Sequence, residues 1–168
     1  ISPVGVFVTD VEGKATYYND KTNEIIGMPI DEGKGIGWTE SIHPEDREKV
    51  LIEWNKSKEA KSKFELTYRF KNKHGKITWV IGQAVPMLNP NGELIGFVGS
   101  LFDITSLKQA EKELSNSFKR EQNLANIVRN APVAIAFAYP NGKIENCNKA
   151  FVDLVGYTEE ELKKINWN

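Results

Sequence analysis

The chain repeats part of itself, and this repeat constrains its fold more than any other feature. Residues 132–156, PVAIAFAYPNGKIENCNKAFVDLVG, align without a gap on residues 3–27, PVGVFVTDVEGKATYYNDKTNEIIG. Such a repeat predicts that both stretches form the same supersecondary unit. The two stretches are identical at Pro3/Pro132, Val4/Val133, Gly13/Gly142, Lys14/Lys143, Asn19/Asn148 and Gly27/Gly156. Because the chain stops at Asn168, before the second copy reaches the length of the first, we expect a fragment of a longer protein.

The composition excludes several classes of protein. The 168 residues carry a net charge of −1, which leaves no basic excess of the kind that binds nucleic acid. A single cysteine, Cys147, excludes an intramolecular disulfide framework and is typical of a reducing compartment. No apolar run approaches the roughly 18 residues of a membrane span, and no signal peptide is visible. We therefore expect a cytoplasmic chain without a nucleic-acid partner, and any membrane anchor of the parent would lie outside it.

The first part of the chain predicts a hairpin followed by helices. Two short β-rich runs, at 4–9 and 15–18, are separated by a glycine-centred turn and predict paired strands. The next residues predict a short helix that ends at Gly27. Residues 29–37 are rich in glycine and predict no regular structure. Pro44, followed by two acidic residues, is typical of the start of a longer helix.

The middle of the chain predicts a three-stranded meander. Apolar and polar side chains alternate strictly from 64 to 71, as they do in a half-buried strand. Two further strands, at 77–87 and 94–103, are each reached through a glycine-containing turn. Three strands joined in this way predict an antiparallel sheet.

The character of the sequence changes after Asp103. Residues 106–130 contain neither glycine nor proline and predict one long helix. An apolar stripe on this helix is compatible with a connector that packs on a neighbouring domain and equally with the seam of a parallel dimer. The stripe comprises Leu107, Leu114, Phe118, Ala125 and Val128.

This order of elements resembles the PAS domain, a sensory module found in tandem arrays within signalling proteins. The resemblance rests on SPVGVFVTDVEGKATYYN at the start and on HPEDRE and FELTYRFKNKHGKITWV in the middle, which are typical of the subgroup with an extended second half. It rests also on FDIT at 102–105, which is similar to the Asp-Ile-Thr signature that closes such domains. The resemblance implies an α+β fold, in which a five-stranded antiparallel sheet carries helices on one face, followed by a long connector helix.

The resemblance also implies an organisation and a function. We expect a PAS-like sensory domain at 1–105, a coiled-coil connector or signalling helix at 106–130, and the truncated first half of a second PAS-like repeat at 131–168. Such a module senses or relays a signal, and we expect the parent to be a sensor histidine kinase of a two-component system. We expect a homodimer, formed through the helices or the sheet, and a kinase or other output domain in the parent chain. A ligand-free dimerisation or protein-interaction module is the alternative.

The sequence contains no motif for catalysis or metal binding. Glycine motifs that cradle phosphate or present a nucleophile are absent, and His43, His74 and Cys147 lack metal-ligand spacing. A haem sensor of this family would need a histidine within 45–61, and a flavin photosensor would need an arginine after Cys147; the sequence has neither. We therefore predict that the chain is not an enzyme, and we predict no cofactor and no metal site.

One candidate site is a pocket between the sheet and the helices. Trp54, Tyr68, Trp79, Gln83 and Phe97 would line it and hold an unidentified small molecule. Aromatic side chains also fill cores that bind nothing, and we favour that interpretation.

The other candidate site is the junction between the last strand and the long helix. Asp103 and Thr105 form a polar pair that can hydrogen-bond to both elements and so relay a movement of the sheet to the helix. A plain turn with a helix cap is the alternative.

Overall fold

A computed structural model describes residues 3–164, apart from the side chains of Ile30, Asp31 and Glu159. The chain divides into two compact units, Ile1–Ala110 and Glu111–Asn168. The elements in chain order are β1 (Gly5–Thr9), β2 (Ala15–Tyr18), α1 (Asp20–Ile26), α2 (Ile30–Gly33), a 3₁₀-helix (Gly37–Ser41), α3 (Pro44–Glu59), β3 (Phe64–Lys71), β4 (Ile77–Leu88), β5 (Leu94–Asp103), α4 (Thr105–Asn130), β6 (Ala136–Ala138), β7 (Ile144–Cys147), α5 (Lys149–Val155) and α6 (Glu159–Leu162).

The first unit contains one five-stranded sheet. Its strand order is β2-β1-β5-β4-β3, and every neighbouring pair is antiparallel. The predicted meander supplies β3, β4 and β5, and the opening hairpin joins them because β1 pairs with β5. The predicted fold, a five-stranded antiparallel sheet with helices that is followed by a long helix, is confirmed.

The core of this unit lies between one face of the sheet and helices α1 and α3. Trp54 of α3 is the centre of an aromatic cluster. Its ring lies edge-on to Trp38 and Phe64, with centroids 6.2 and 5.2 Å away, and tilted against Phe97 at 5.2 Å. Because each fully buried phenylalanine stabilises a fold by about 1.5–3 kcal/mol relative to an exposed one, this cluster holds α3 on the sheet.

Asn19 joins the opening hairpin to helix α1. Its Oδ1 accepts hydrogen bonds from the backbone N–H groups of Val6 and Thr22, at 2.9 and 3.0 Å, and its Nδ2 donates to the Val4 carbonyl at 2.9 Å. The helix then ends, as predicted, at Gly27, which adopts the left-handed conformation with φ of 70°. One side chain thus fixes where the hairpin ends and where the helix begins.

The prediction that residues 29–37 lack regular structure is wrong in part, because α2 lies within them and the 3₁₀-helix begins there. Both helices are too short to show a hydrophobic period in the sequence. Tertiary contacts hold them instead: the Tyr18 hydroxyl donates to the Gly33 carbonyl at 2.9 Å, and Ala15 pairs with Gly35.

The second unit repeats the opening structure of the first. Strands β6 and β7 form an antiparallel hairpin, and α5 follows it. Asn148 makes the bonds of Asn19 again, since its Oδ1 accepts from the backbone N–H groups of Ile135 and Phe151. Its Nδ2 also donates to the Val128 carbonyl, in the last turn of α4, at 3.0 Å. The repeated sequence therefore forms the same supersecondary unit.

Helix α4 is 26 residues long and contains no buried side chain. Leu107, Leu114 and Phe118, which belong to its predicted apolar stripe, are 63, 74 and 59% exposed. None of the helices within residues 3–164 combines the length and the apolar character that a membrane span requires.

Gly99 tests the packing of the sheet. An added Cβ would clash with the ring of Phe7, opposite on β1, and with the Gln83 carbonyl of β4. We expect Gly99→Ala to lower the free energy of unfolding by about 1–3 kcal/mol, because backbone and a packed ring must both move. Urea denaturation measures this, with Ser100→Ala as the control one residue along β5. An unchanged free energy of unfolding in Gly99→Ala would contradict the packing described for these strands.

Candidate functional site

The junction between β5 and α4 is held by side chains at both ends of the Asp-Ile-Thr sequence. The Asp103 carboxylate accepts a hydrogen bond from the Thr105 backbone N–H at 2.9 Å. The Thr105 hydroxyl accepts one from the Trp79 backbone N–H, also at 2.9 Å, and the Ile104 N–H donates to the Trp79 carbonyl at 2.9 Å. The start of the long helix is therefore bonded to β4 on both sides of one residue, Trp79.

Two cations approach the Trp79 ring, which lies on the face of the sheet that points away from the core. The Arg69 guanidinium carbon is 5.3 Å from the ring centroid, and the Lys108 ammonium nitrogen is 5.9 Å from it. Each contact falls within the range of a cation–π interaction, which stabilises by about 0.5–1 kcal/mol at exposed sites. Arg69 belongs to β3, and Lys108 belongs to the first turns of α4. The ring therefore connects the edge of the sheet to the long helix.

Arg69 is bonded in turn to the start of α3. Its guanidinium donates to both carboxylate oxygens of Asp46, at 2.8 and 2.6 Å, and to Glu45 at 2.8 Å. The Arg69 side chain is 20% exposed and that of Asp46 is 19% exposed. The hydrogen bonds from Arg69 hold the pKa of Asp46 below its ordinary value, against the opposing effect of partial burial. The same bonds to Asp46 and Glu45 raise the pKa of Arg69, so this pair is ionised at neutral pH.

The predicted pocket residues do not all share one place. Trp54 and Tyr68 line a cavity under the sheet, and Phe97 is fully buried and packs against Trp54. The prediction that Trp79 and Gln83 line this pocket is wrong. Along β4 the buried positions are 78, 80, 82 and 84, so residues 79 and 83 point to the opposite face.

The cavity itself is small and apolar. Its volume is about 30 Å³, which compares with the roughly 10–15 Å³ that one water needs. Burial raises the pKa of Tyr18 and of Tyr68, so both hydroxyls on its walls are neutral. The indole nitrogen of Trp38, another lining residue, is buried and is without a hydrogen-bond partner among the described residues. Side chains thus fill most of the space between the sheet and the helices.

The sequence reasoning missed Arg69, Asp46 and Lys108. Arg69 was visible only as a polar member of the alternating strand, and Asp46 only as an acidic residue suited to a helix start. Their contact joins positions 23 residues apart in sequence, so no local pattern marks it. The motifs HPEDRE and TYRF together did contain a signal. An acidic residue at the start of a helix forms an ion pair with an arginine on a strand once the helix and the strand are neighbours.

The other end of α4 is also held by a polar side chain. Asn148 is 2% exposed, and its Nδ2 donates to the Val128 carbonyl at 3.0 Å and to the Ala131 carbonyl at 3.3 Å. A helix leaves its last carbonyls without partners inside the helix. Asn148 satisfies one of them and joins the end of α4 to the second hairpin.

Metal ions in proteins are held by groups of ligating side chains that lie close together. Within residues 3–164, no three or more His, Cys, Asp or Glu side chains lie together in a way that could hold a metal ion. Cys147 is partly buried in the second unit.

Comparison with known families places both units. The family described as PAS fold matches residues 15–101, and a second, described as PAS domain, matches residues 122–167. The first match runs from the start of β2 into β5, and the second includes the end of α4 together with the repeated hairpin and helix.

Some known proteins with similar sequences are named as signalling proteins. The peroxide stress-activated histidine kinase mak1 of Schizosaccharomyces pombe is 31% identical over 144 residues, which are 84% of this chain and 9% of that protein. The probable diguanylate cyclase DgcE of Escherichia coli is 30% identical over 124 residues, which are 74% of this chain and 11% of that protein. A solved structure, the sensory box histidine kinase/response regulator of Burkholderia thailandensis, is 26% identical with a TM-score of 0.56, covering 72% of this chain and 92% of that one. The chain thus spans about a tenth of the length of these two relatives.

The pair of Asp46 and Arg69 predicts a pH dependence of stability. Because the pKa of Asp46 is lower in the folded chain than in the unfolded chain, where it is about 3.9, the stabilisation is present above that value. It is lost as the pH falls through the folded-state pKa. We expect the free energy of unfolding of Asp46→Asn to fall less steeply below about pH 5 than that of the wild type.

Urea denaturation between about pH 3 and 7 measures this difference. Glu48→Gln removes the same charge from an exposed position of α3 and is the matched control. Equal acid slopes for Asp46→Asn and the wild type would show that the ion pair contributes nothing to stability.

Proposed function

Because the chain belongs to the PAS domain family, we propose that its first unit is a regulatory sensory module of a larger signalling protein. We assign the sensory domain to residues 1–105, the signalling helix to 106–130 and the start of a second module to 131–168. The parent, in this proposal, is a sensor histidine kinase with its output domain elsewhere in the chain, and it works in the cytoplasm. The similarity to a histidine kinase and to a diguanylate cyclase supports an output domain of that general kind.

One observation carries the relay function. The Thr105 hydroxyl accepts the Trp79 backbone N–H, and Asp103 accepts the Thr105 N–H. The start of α4 is therefore attached to β4 by directional bonds, whereas its remaining length has no buried side chain. A shift of β4 relative to β5 would change these bonds and bias the direction of the helix. Such a device needs only two arrangements that the signal stabilises to different degrees.

We further propose that the module is a homodimer and that α4 forms its seam. Leu107, Leu114 and Phe118 follow one another at steps of seven and four residues, which is the spacing of a coiled-coil stripe. Each is more than half exposed. Large exposed apolar side chains aligned on one helix face are typical of an association surface.

The small cavity supports a second candidate function. A volume of about 30 Å³ is far below the roughly 300–1,000 Å³ of a small-molecule site. A ligand-free dimerisation or protein-interaction module would need no more space than this. The two candidates differ in one measurable respect: a relay couples the core to α4, and an interaction module does not.

Coupling between the core and α4 tests the relay. Trp54→Phe alters the cavity wall without a charge change, and we expect it to change the amide exchange rates at the start of α4 by about two- to thirty-fold. Nuclear magnetic resonance on the 168-residue chain measures exchange at Lys108 and the two residues after it. In the Thr105→Val background, which lacks the accepting hydroxyl, Trp54→Phe should have little effect.

Thr105→Ser is the control, because it keeps the hydroxyl and should keep the coupling. If Trp54→Phe leaves the amide exchange rates at the start of α4 unchanged in every background, the relay is refuted and the interaction module is favoured.

Introducing a charged side chain into the apolar stripe of α4 tests the dimer seam. We expect Leu114→Glu to weaken self-association at least about tenfold, because two carboxylates would face each other across the seam. Sedimentation equilibrium measures the dissociation constant. Asn116→Glu adds the same charge to the other side of α4 and should leave association unchanged. Equal dissociation constants for the two variants would place the seam elsewhere.

A further inference from the structure

We propose that Arg69 is a positioning residue that transmits displacements of α3 to the start of α4 along the outer face of the sheet. This inference rests on the proposed relay function and names the route by which the core reaches Asp103 and Thr105. The route has three steps, from the cavity wall to Asp46, from Asp46 to Arg69, and from Arg69 through Trp79 to α4.

The first step lies within helix α3. Trp54 lines the cavity, and Asp46 lies eight residues earlier in the same helix. Between them α3 contains neither glycine nor proline, so this part of the helix moves as one body. At 1.5 Å per residue the two side chains are about 12 Å apart along the axis. A change at the cavity wall that tilts α3 therefore moves the Asp46 carboxylate.

The second step joins α3 to β3 at one residue. The Arg69 backbone N–H donates to Asp46 at 2.9 Å, and its carbonyl accepts the His43 N–H at 2.8 Å. The guanidinium adds two bonds to Asp46 and one to Glu45. Main chain and side chain of Arg69 are thus both bonded to the start of α3. Paired bonds between a guanidinium and a carboxylate are directional, unlike apolar contacts, so Arg69 follows the carboxylate when it moves.

The third step crosses from β3 to β4 and from β4 to α4. Arg69 and Trp79 are direct partners in the antiparallel register, and the guanidinium lies 5.3 Å from the centroid of the ring. Lys108 approaches the same ring at 5.9 Å. The main chain of Trp79 holds Thr105 and Ile104. Trp79, which contacts the Arg69 guanidinium, is therefore also the residue to which the start of α4 is hydrogen-bonded.

A simpler role for Arg69 would be to stabilise the start of α3 and nothing more. Acidic residues in a first helical turn are favourable there without any arginine, and the bonds from Arg69 would add to that. Both roles predict that removing Arg69 lowers the free energy of unfolding. They differ in whether a change at Trp54 still reaches α4, and that coupling is what must be measured.

The experiment uses the 168-residue chain and the exchange of the Lys108 amide. Trp54→Phe is introduced into the wild type and into three backgrounds: Arg69→Gln, Asp46→Asn and Lys71→Gln. Lys71 lies two residues after Arg69 on β3 and is exposed, so it is the matched loss of a positive charge. The indole N–H resonance of Trp79 gives a second, local reading. If Arg69→Gln does not fold, Arg69→Lys keeps the charge but not the paired bonds and gives the same comparison.

We expect Trp54→Phe to change Lys108 exchange by about two- to thirty-fold in the wild type and in Lys71→Gln. In Arg69→Gln and in Asp46→Asn the effect should fall below about twofold. An undiminished effect in either of these two backgrounds would overturn the proposal while leaving the relay function intact. No effect of Trp54→Phe in the wild type would overturn both.

Discussion

An asparagine side chain at the end of the opening hairpin is the interaction on which the rest of each unit depends. Asn19 joins the two ends of the hairpin to α1, and Asn148 does the same for α5. Asn148 is 2% exposed. An amide in such a position is stabilising only when all its groups are bonded, since each unpaired one costs about 1–3 kcal/mol. The requirement selects one geometry of strand, turn and helix, and the chain uses it twice.

The two faces of the sheet that follows make different kinds of contact. The inner face packs apolar rings against α1 and α3, where contacts tolerate small shifts because apolar attraction has no direction. The outer face carries Arg69 and Trp79, and Lys108 of α4 approaches the Trp79 ring; these contacts depend on geometry. Helix α3 touches both systems, through Trp54 inside and Asp46 outside. In the proposed relay, a change in the apolar core would reach α4 through the directional bonds of the outer face.

Much of the fold could be predicted because its signals are local. Gly27 ends a helix, Pro44 begins one, and the alternation in β3 marks a half-buried strand. The candidate site was harder to predict from the sequence. The buried side of β4 carries Thr78 and Gly82, whereas its outer side carries Trp79, so residue type indicates the wrong face. The face becomes clear only from the register with β3, and the contact of Arg69 with Asp46 only from the packed helix.

The two outer edges of the sheet have a consequence for how this unit meets other chains. On β2, Ala15 exchanges backbone hydrogen bonds with Gly35, at 2.7 and 3.0 Å, and on β3, Phe70 is bridged to Ile42. An open edge recruits foreign strands and seeds aggregation. Here the segment between α1 and α3 occupies part of each edge, and the outward residues of β3 are largely charged. These contacts and charges oppose the addition of a foreign strand at either edge of the unit.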